Sequence, residues 1–184
     1  IYEMINEFNS KKIRMIAGLG NPGADYRATF HNVGFLALDY FSDGTPETEW
    51  REGKNFSYLK MNGTIFVKPA VFMNESGETI RQALRYFKMK AENLLVIHDD
   101  SDIELGRWKI GFGRGAAGHR GVASIISRLK TKNFWRARIG VRNRRGKAGD
   151  IAHRPAAQGD DHRVAAEINL LHRLDNRNGG IDLL

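Results

Sequence analysis

One imidazole and three carboxylates fall within five residues at His98-Asp99-Asp100-Ser101-Asp102, directly after the apolar run Leu94-Leu95-Val96-Ile97. A short, branched run bounded by polar residues reads as a buried strand. The ionisable groups therefore leave its carboxyl end, where the ligand crevice of an open α/β sheet lies. Two chemistries suit them. In the first, Asp99 orients a histidine brought from elsewhere, so that a neutral imidazole takes a proton from water. His31, in Thr29-Phe30-His31-Asn32, is the histidine this reading selects. In the second, His98, Asp99, Asp100 and Asp102 hold a divalent ion such as magnesium. That reading is opposed by the lack of a calcium-loop glycine and distal glutamate, and of paired histidines at helical spacing. The chain has no cysteine and no serine in a nucleophile-elbow pattern, which gives covalent catalysis a weak case and favours water activated by the pair. An ester fits such a pair, because a leaving alcohol demands less of a general acid than an amine.

Further groups could assist. Gly18-Leu19-Gly20-Asn21-Pro22-Gly23 is a tight glycine turn that sets the Asn21 amide at a strand end, where it offers a donor and an acceptor to a carbonyl or an oxyanion. The same string spells a dinucleotide fingerprint, but Pro22 removes a backbone donor from the required helix start. The acidic residue expected about 20 positions on would be Asp39, which lies in a stretch of helical rather than strand spacing. Asn74 is either a helix cap or a substrate contact, and Met73 reads as core. The glycine-rich Gly113-Arg114-Gly115-Ala116-Ala117-Gly118-His119-Arg120-Gly121 opens a helix over Val122 to Leu129. Its free N–H groups, with Arg114 and Arg120, suit an anion, although the Gly-Lys-Ser/Thr ending of a P-loop is absent. His153, His162 and His172 lie in polar surroundings and read as solvated.

These residues must be held by strands and helices in alternation. Ile13 to Ala17 reads as a first strand, and Val33 to Phe41 has helical spacing. Phe56 to Lys60 and Thr64 to Lys68 flank Met61-Asn62-Gly63, a strong hairpin signal. Ile80, Leu84 and Phe87 mark a helix with Asn74 or Ser76 as its cap. Trp108 to Ile110 and Phe134 to Val141 are further strands, the latter with Arg136 and Arg138 on one side. Val164, Ile168, Leu171 and Leu174 mark a last helix from about His162. Residues 1–12 read as a polar lead-in, residues 42–53 as a loop, and 176–184 as a frayed tail. The alternation predicts one α/β domain over residues 1–184.

Lys and Arg number 29 against 21 Asp and Glu, and residues 101–150 alone carry 13 against 3. So concentrated a basic block beside an acidic strand end suggests a polyanion held next to a reaction site. No apolar run approaches the ~20 residues of a membrane span, and no signal-peptide pattern is visible. The lack of cysteine suits the cytosol.

Five stretches, taken in order over residues 13–143, resemble bacterial-type peptidyl-tRNA hydrolase. They are Gly18 to Gly23 with Tyr26, Thr29 and His31-Asn32; Lys68-Pro69 through Met73-Asn74-Glu75-Ser76-Gly77; His98-Asp99-Asp100 with Asp102 and Leu105-Gly106; the glycine loop through Gly118-His119; and Arg136 to Gly140. The resemblance implies a monomeric, cytoplasmic enzyme with no cofactor, no membrane association and no obligate protein partner. Its fold would be a twisted mixed β-sheet flanked by helices. It would hydrolyse the ester joining a peptide to the 3′ end of tRNA. By position, His31 would be the base and Asp99 its partner. Asn21 and Asn74 would bind the peptide backbone or the ester, Tyr26 and Met73 would line the site, and Arg120 would stand near the substrate. Arg114, Arg138, Arg142, Arg144 and Arg145 would hold tRNA phosphates. Arg120 departs from the pattern, standing where the family has an amide that faces the attacking water, and an arginine accepts no hydrogen bond. Phe30 replaces a common arginine, and Gly111 falls at a frequently basic position, with Arg114 nearby. A non-catalytic RNA-binding relative, of the kind plant organellar splicing factors represent, is the alternative the same residues allow.

Overall fold

The computed structural model of the chain describes residues 13–27, 29–42 and 49–142. Among these, seven strands form one mixed sheet: β1 (Met15–Gly18), β2 (Arg51–Glu52), β3 (Phe56–Met61), β4 (Thr64–Pro69), β5 (Leu94–Glu104), β6 (Trp108–Phe112) and β7 (Trp135–Arg142). Their spatial order is β2-β3-β4-β1-β5-β7-β6. The central pairs β4–β1, β1–β5 and β5–β7 are parallel, and the pairs towards the edges are antiparallel. The α-helices are α1 (Val33–Ser42), α2 (Ser76–Tyr86) and α3 (Arg120–Leu129).

Strand side chains alternate between faces, and this divides the apolar runs between two cores. Met15, Ala17, Val67, Leu94 and Val96 meet Ile80 and Leu84 of α2 and Val122 and Ile125 of α3. Ile16, Phe66, Leu95, Ile97 and Ala137 meet Ala37 and Leu38 of α1. The unbroken apolar stretches of β1 and β5 are thus strands covered on both sides, as parallel strands must be. The hairpin turn carries Asn62 at φ 49° and Gly63 at φ 76°, the paired positive φ of the turn that matches strand twist. Among the described residues no helix is long and apolar enough to cross a membrane.

Three expectations need correction. β5 does not stop at Ile97 but continues through His98–Asp102 to Glu104. Its pairing with β1 ends at Gly18↔Ile97, whereas pairing with β7 continues from His98↔Arg138 to Asp100↔Gly140 before an irregularity. The ionisable residues therefore sit on an overhang held on one side only. Apolar periodicity could not show this, because it is blind to a strand that continues in polar residues. Second, neither Asn74 nor Ser76 caps a helix: a 3-10 turn, Met73–Glu75, leads into α2 without a capping side-chain bond. Third, the loop over 42–53 contains the short β2. The lead-in 1–12, the tail 176–184, the helix predicted from His162, the late histidines and Arg144 and Arg145 lie outside the described residues.

One close approach fixes where α1 starts. A Cβ on Gly34 would fall 2.3 Å from the Leu19 nitrogen and 2.6 Å from the Ile97 oxygen, so this turn of α1 rests on the ends of β1 and β5 with no room for a side chain. Gly34→Ala is expected to cost about 1–3 kcal/mol of stability through overpacking. It should also depress activity, because the residues just before α1 include His31. Denaturant unfolding with a parallel activity assay checks this; wild-type stability would refute the contact.

Candidate active site

The reactive groups gather where the β5 overhang meets the turns that precede α1 and α3. Residues Phe30–Asn32 form a 3-10 turn into α1, and that turn brings His31 Nδ1 to 2.9 Å from Asp99 Oδ2. The other oxygen, Asp99 Oδ1, lies 2.9 Å from His119 Nε2. Asp99 and His119 are buried, with side chains 7% and 8% exposed, whereas His31 is 23% exposed. The carboxylate is thus held between two imidazoles, and only His31 reaches towards solvent.

Hydrogen-bond logic assigns the protons. His119 is the N-cap of α3, and its Nδ1 accepts the Val122 N–H at 3.2 Å. An imidazole nitrogen that accepts carries no proton, so His119 is the Nε2–H tautomer and donates to Asp99. His31 presents Nδ1 to the carboxylate, which leaves Nε2 as its basic nitrogen. Burial works against the Asp99 charge, but hydrogen bonds from His119 and His31 hold the carboxyl well below the usual carboxylate range. The hydrogen bond to Asp99 raises His31 above its ordinary value, against opposition from burial and from the Arg120 charge.

His98 lies beneath this group. Its ring packs against His119 with centroids 4.6 Å apart, and its Nδ1 donates to the Asp99 carbonyl at 2.6 Å. Burial, followed by the neighbouring His119, pushes it to about 3, so it stays neutral. Asp100 is occupied by Arg138 at 3.1 Å and by the Asp102 amide at 2.9 Å. The competing metal set of His98, Asp99, Asp100 and Asp102 does not converge. Among the described residues the cluster of potential ligands is instead His31, Asp99 and His119.

Asn21 is fixed from two sides. The buried Asn32 side chain accepts the Asn21 N–H at 2.8 Å and donates to the Asn21 carbonyl at 3.0 Å, so one amide grips the backbone of the glycine turn. The Asn21 side chain in turn accepts the Met73 N–H at 2.8 Å through Oδ1. With the acceptor committed, Asn21 offers a ligand its donors. Met73 is buried core, as its composition suggested, and also meets the site through its backbone. Tyr26 is exposed edge-on to the exposed Phe72, with centroids 6.0 Å apart. Asn74 is exposed on the same short turn as Met73.

The basic residues lie on the adjoining surface. Arg120 is exposed at the first position of α3. Arg114 is exposed, and its Cγ lies 3.6 Å from where a Gly111 side chain would begin, so its stem covers that glycine. Arg138 is bound to Asp100, and Arg142 stands 3.7 Å from Glu104.

Two residues at the centre of this arrangement were missed in the sequence. His119 reads in the sequence as part of a glycine loop, and histidine is not among the residues that signal a helix N-cap, so nothing local marks it. Asn32 was quoted without a role, and nothing local reveals that its amide clamps a turn 11 residues earlier.

Comparison with known proteins adds the following. The model of the family described as peptidyl-tRNA hydrolase matches residues 15–154. The chain is 43% identical over 136 residues to the peptidyl-tRNA hydrolase of Lactobacillus johnsonii, covering 71% of this chain and 73% of that one. It is 45% identical over 135 residues to the peptidyl-tRNA hydrolase of Geotalea uraniireducens, covering 70% of each. Among solved structures, peptidyl-tRNA hydrolase from Acinetobacter baumannii matches with a TM-score of 0.72 at 24% identity, covering 91% of this chain and 92% of that one. This last likeness is one of fold.

Proposed function

This chain belongs to the peptidyl-tRNA hydrolase family, and we propose that it cleaves the ester between a peptide and the 3′ end of tRNA with His31 as the base that activates water. The observation that carries this is the carboxylate of Asp99 between two imidazoles, 2.9 Å from each. His31 Nε2 takes a proton from water as the hydroxide attacks the ester carbonyl. Asp99 holds the ring through Nδ1 and stabilises the imidazolium that forms. The Asn21 amide donates to the oxygen that becomes negative. Collapse breaks the bond to the ribose oxygen, which leaves with the proton that His31 returns. His119 is a positioning residue: as the N-cap of α3, it occupies the oxygen of Asp99 that His31 does not use.

Tyr26 and Met73 line the site in this reading, Asn74 contacts the peptide backbone, and Arg120 lies beside the reacting group. Arg114, Arg138, Arg142, Arg144 and Arg145 hold phosphates of the acceptor end. In this reading the protein acts as a monomer in the cytoplasm. The purely RNA-binding alternative is not favoured, since the curated relatives of this family are named as hydrolases.

Two predictions arise here. The base must be neutral, and the hydrogen bond to Asp99 favours the protonated ring. Activity should therefore fall on the acid side with a midpoint above the ordinary histidine value of about 6.5. In Asp99→Asn that cause is gone, and the midpoint should move down while the rate drops. A kcat/KM profile against pH measures both, and a wild-type midpoint below 6.5 contradicts the assigned hydrogen bond. If about five arginines neutralise phosphates, the plot of log affinity for tRNA against log salt should have a slope near −4, and each Arg→Ala change should reduce it by about 1. A flat plot would remove the basic face from tRNA binding.

A further inference from the structure

The groups that meet at Asp99 are also a ligand set. His31, Asp99 and His119 each offer one donor atom, and these atoms all lie within 4.8 Å of one another. Two imidazole nitrogens and a carboxylate are donors that zinc takes where three protein ligands leave one position open. We propose that this trio is an inhibitory site for a borderline divalent transition ion, Zn2+ above all, which competes with catalysis by taking His31 Nδ1.

The geometry requires a small adjustment. With bonds of about 2.0–2.2 Å, tetrahedral ligand atoms stand roughly 3.3–3.5 Å apart. The two 2.9 Å separations run to different oxygens of Asp99, from His31 to Oδ2 and from His119 to Oδ1. An ion on this trio therefore requires the rings, whose donor atoms lie within 4.8 Å of the others, to settle at the spacing of a tetrahedral site as it replaces the hydrogen-bonding protons. His31 stands on a partly exposed turn and His119 at the N-cap of a helix, and both rings can make that movement by rotation about their side-chain bonds. The carboxylate is already ionised. Magnesium is a poor occupant, because it wants oxygen ligands and the neighbouring carboxylate of Asp100 is bound to Arg138.

Proton bookkeeping supplies the inhibition. A neutral imidazole keeps one proton, so an ion on His31 Nδ1 sends that proton through solvent to Nε2, and no net proton is lost. Nε2–H accepts nothing from water. This half of the proposal rests on the reading of His31 as the base. The same exchange at His119 moves its proton from Nε2 to Nδ1, where it faces the Val122 N–H that Nδ1 now accepts. Metal binding therefore breaks the cap of α3, a consequence specific to this arrangement.

The test uses the full chain without an affinity tag. Zn2+ is titrated by calorimetry, Co2+ by its visible spectrum, and the Val122 amide is followed by NMR. The expected result is one equivalent bound, the four-coordinate Co2+ spectrum, a shifted Val122 amide, and turnover lost with Zn2+, restored by EDTA and indifferent to the same concentration of Mg2+. His119→Asn keeps a capping side chain but loses the imidazole, and should weaken Zn2+ at least about tenfold, since even supporting residues of metal sites are worth that much. Absence of stoichiometric binding, unchanged affinity in a folded His119→Asn, or a Val122 amide that does not move overturns the site. Should His119→Asn fail to fold, the wild-type Co2+ spectrum and Val122 shift decide. Zn2+ bound with turnover intact overturns the inhibition; if His31→Ala is inactive in the same assay, the error lies in the nitrogen assigned to the ion and not in the catalytic role of His31.

Discussion

His31→Ala is expected to lower kcat for peptide release from peptidyl-tRNA by about 10²–10⁴-fold, the range that general-base assistance contributes. Affinity for deacylated tRNA should stay near wild type. The separation follows from the geometry: the Nε2 nitrogen is the only group assigned to take the water proton, whereas phosphates are assigned to arginines on other elements. His31→Asn is the companion variant, because its amide can still donate to Asp99 yet is not basic. If orientation of Asp99 were the whole contribution of residue 31, His31→Asn would retain activity; if proton transfer is, it should be as inactive as His31→Ala. A fully active His31→Ala would remove the residue from the mechanism. Single-turnover hydrolysis and tRNA binding on the same preparations distinguish these outcomes.

The second large effect is expected at Asn21. Asn21→Asp preserves shape and the oxygen that accepts the Met73 N–H, but exchanges the amide donors for a second oxygen beside a developing negative charge. Loss of one such donor is worth about 10²–10³-fold in kcat, and the drop should appear in kcat more than in KM. Asn21→Ala should differ by also leaving the Met73 N–H without its acceptor, adding a stability loss of about 1–3 kcal/mol. A pair of variants that lose stability equally and activity little would mean that Asn21 merely ties the glycine turn to residue 73. Thermal unfolding beside stopped-flow hydrolysis makes the comparison.

The strands were legible because covered parallel strands are written as short apolar runs, and Met15–Ala17 and Leu94–Ile97 are such runs. The hairpin was legible because Asn-Gly favours the positive φ its turn needs. The continuation of β5 into Asp102 was not, since the pairing that makes it a strand comes from β7, some 40 residues later. The reading of Asp99 with His31 came from residue types, but its partners' distances and protonation did not.

Composition and local pattern by themselves determined an α/β chain with a cluster of ionisable residues following a buried apolar strand and a basic block after it, because periodicity, turn chemistry and charge act between near neighbours. Only the tertiary structure decided that Asp99 stands between His31 and His119, and that the Asn21 Oδ1 is taken by the Met73 N–H. Those choices are made by hydrogen bonds between segments 20 to 68 residues apart, and a bond of that kind exists only once the sheet has brought its two ends together.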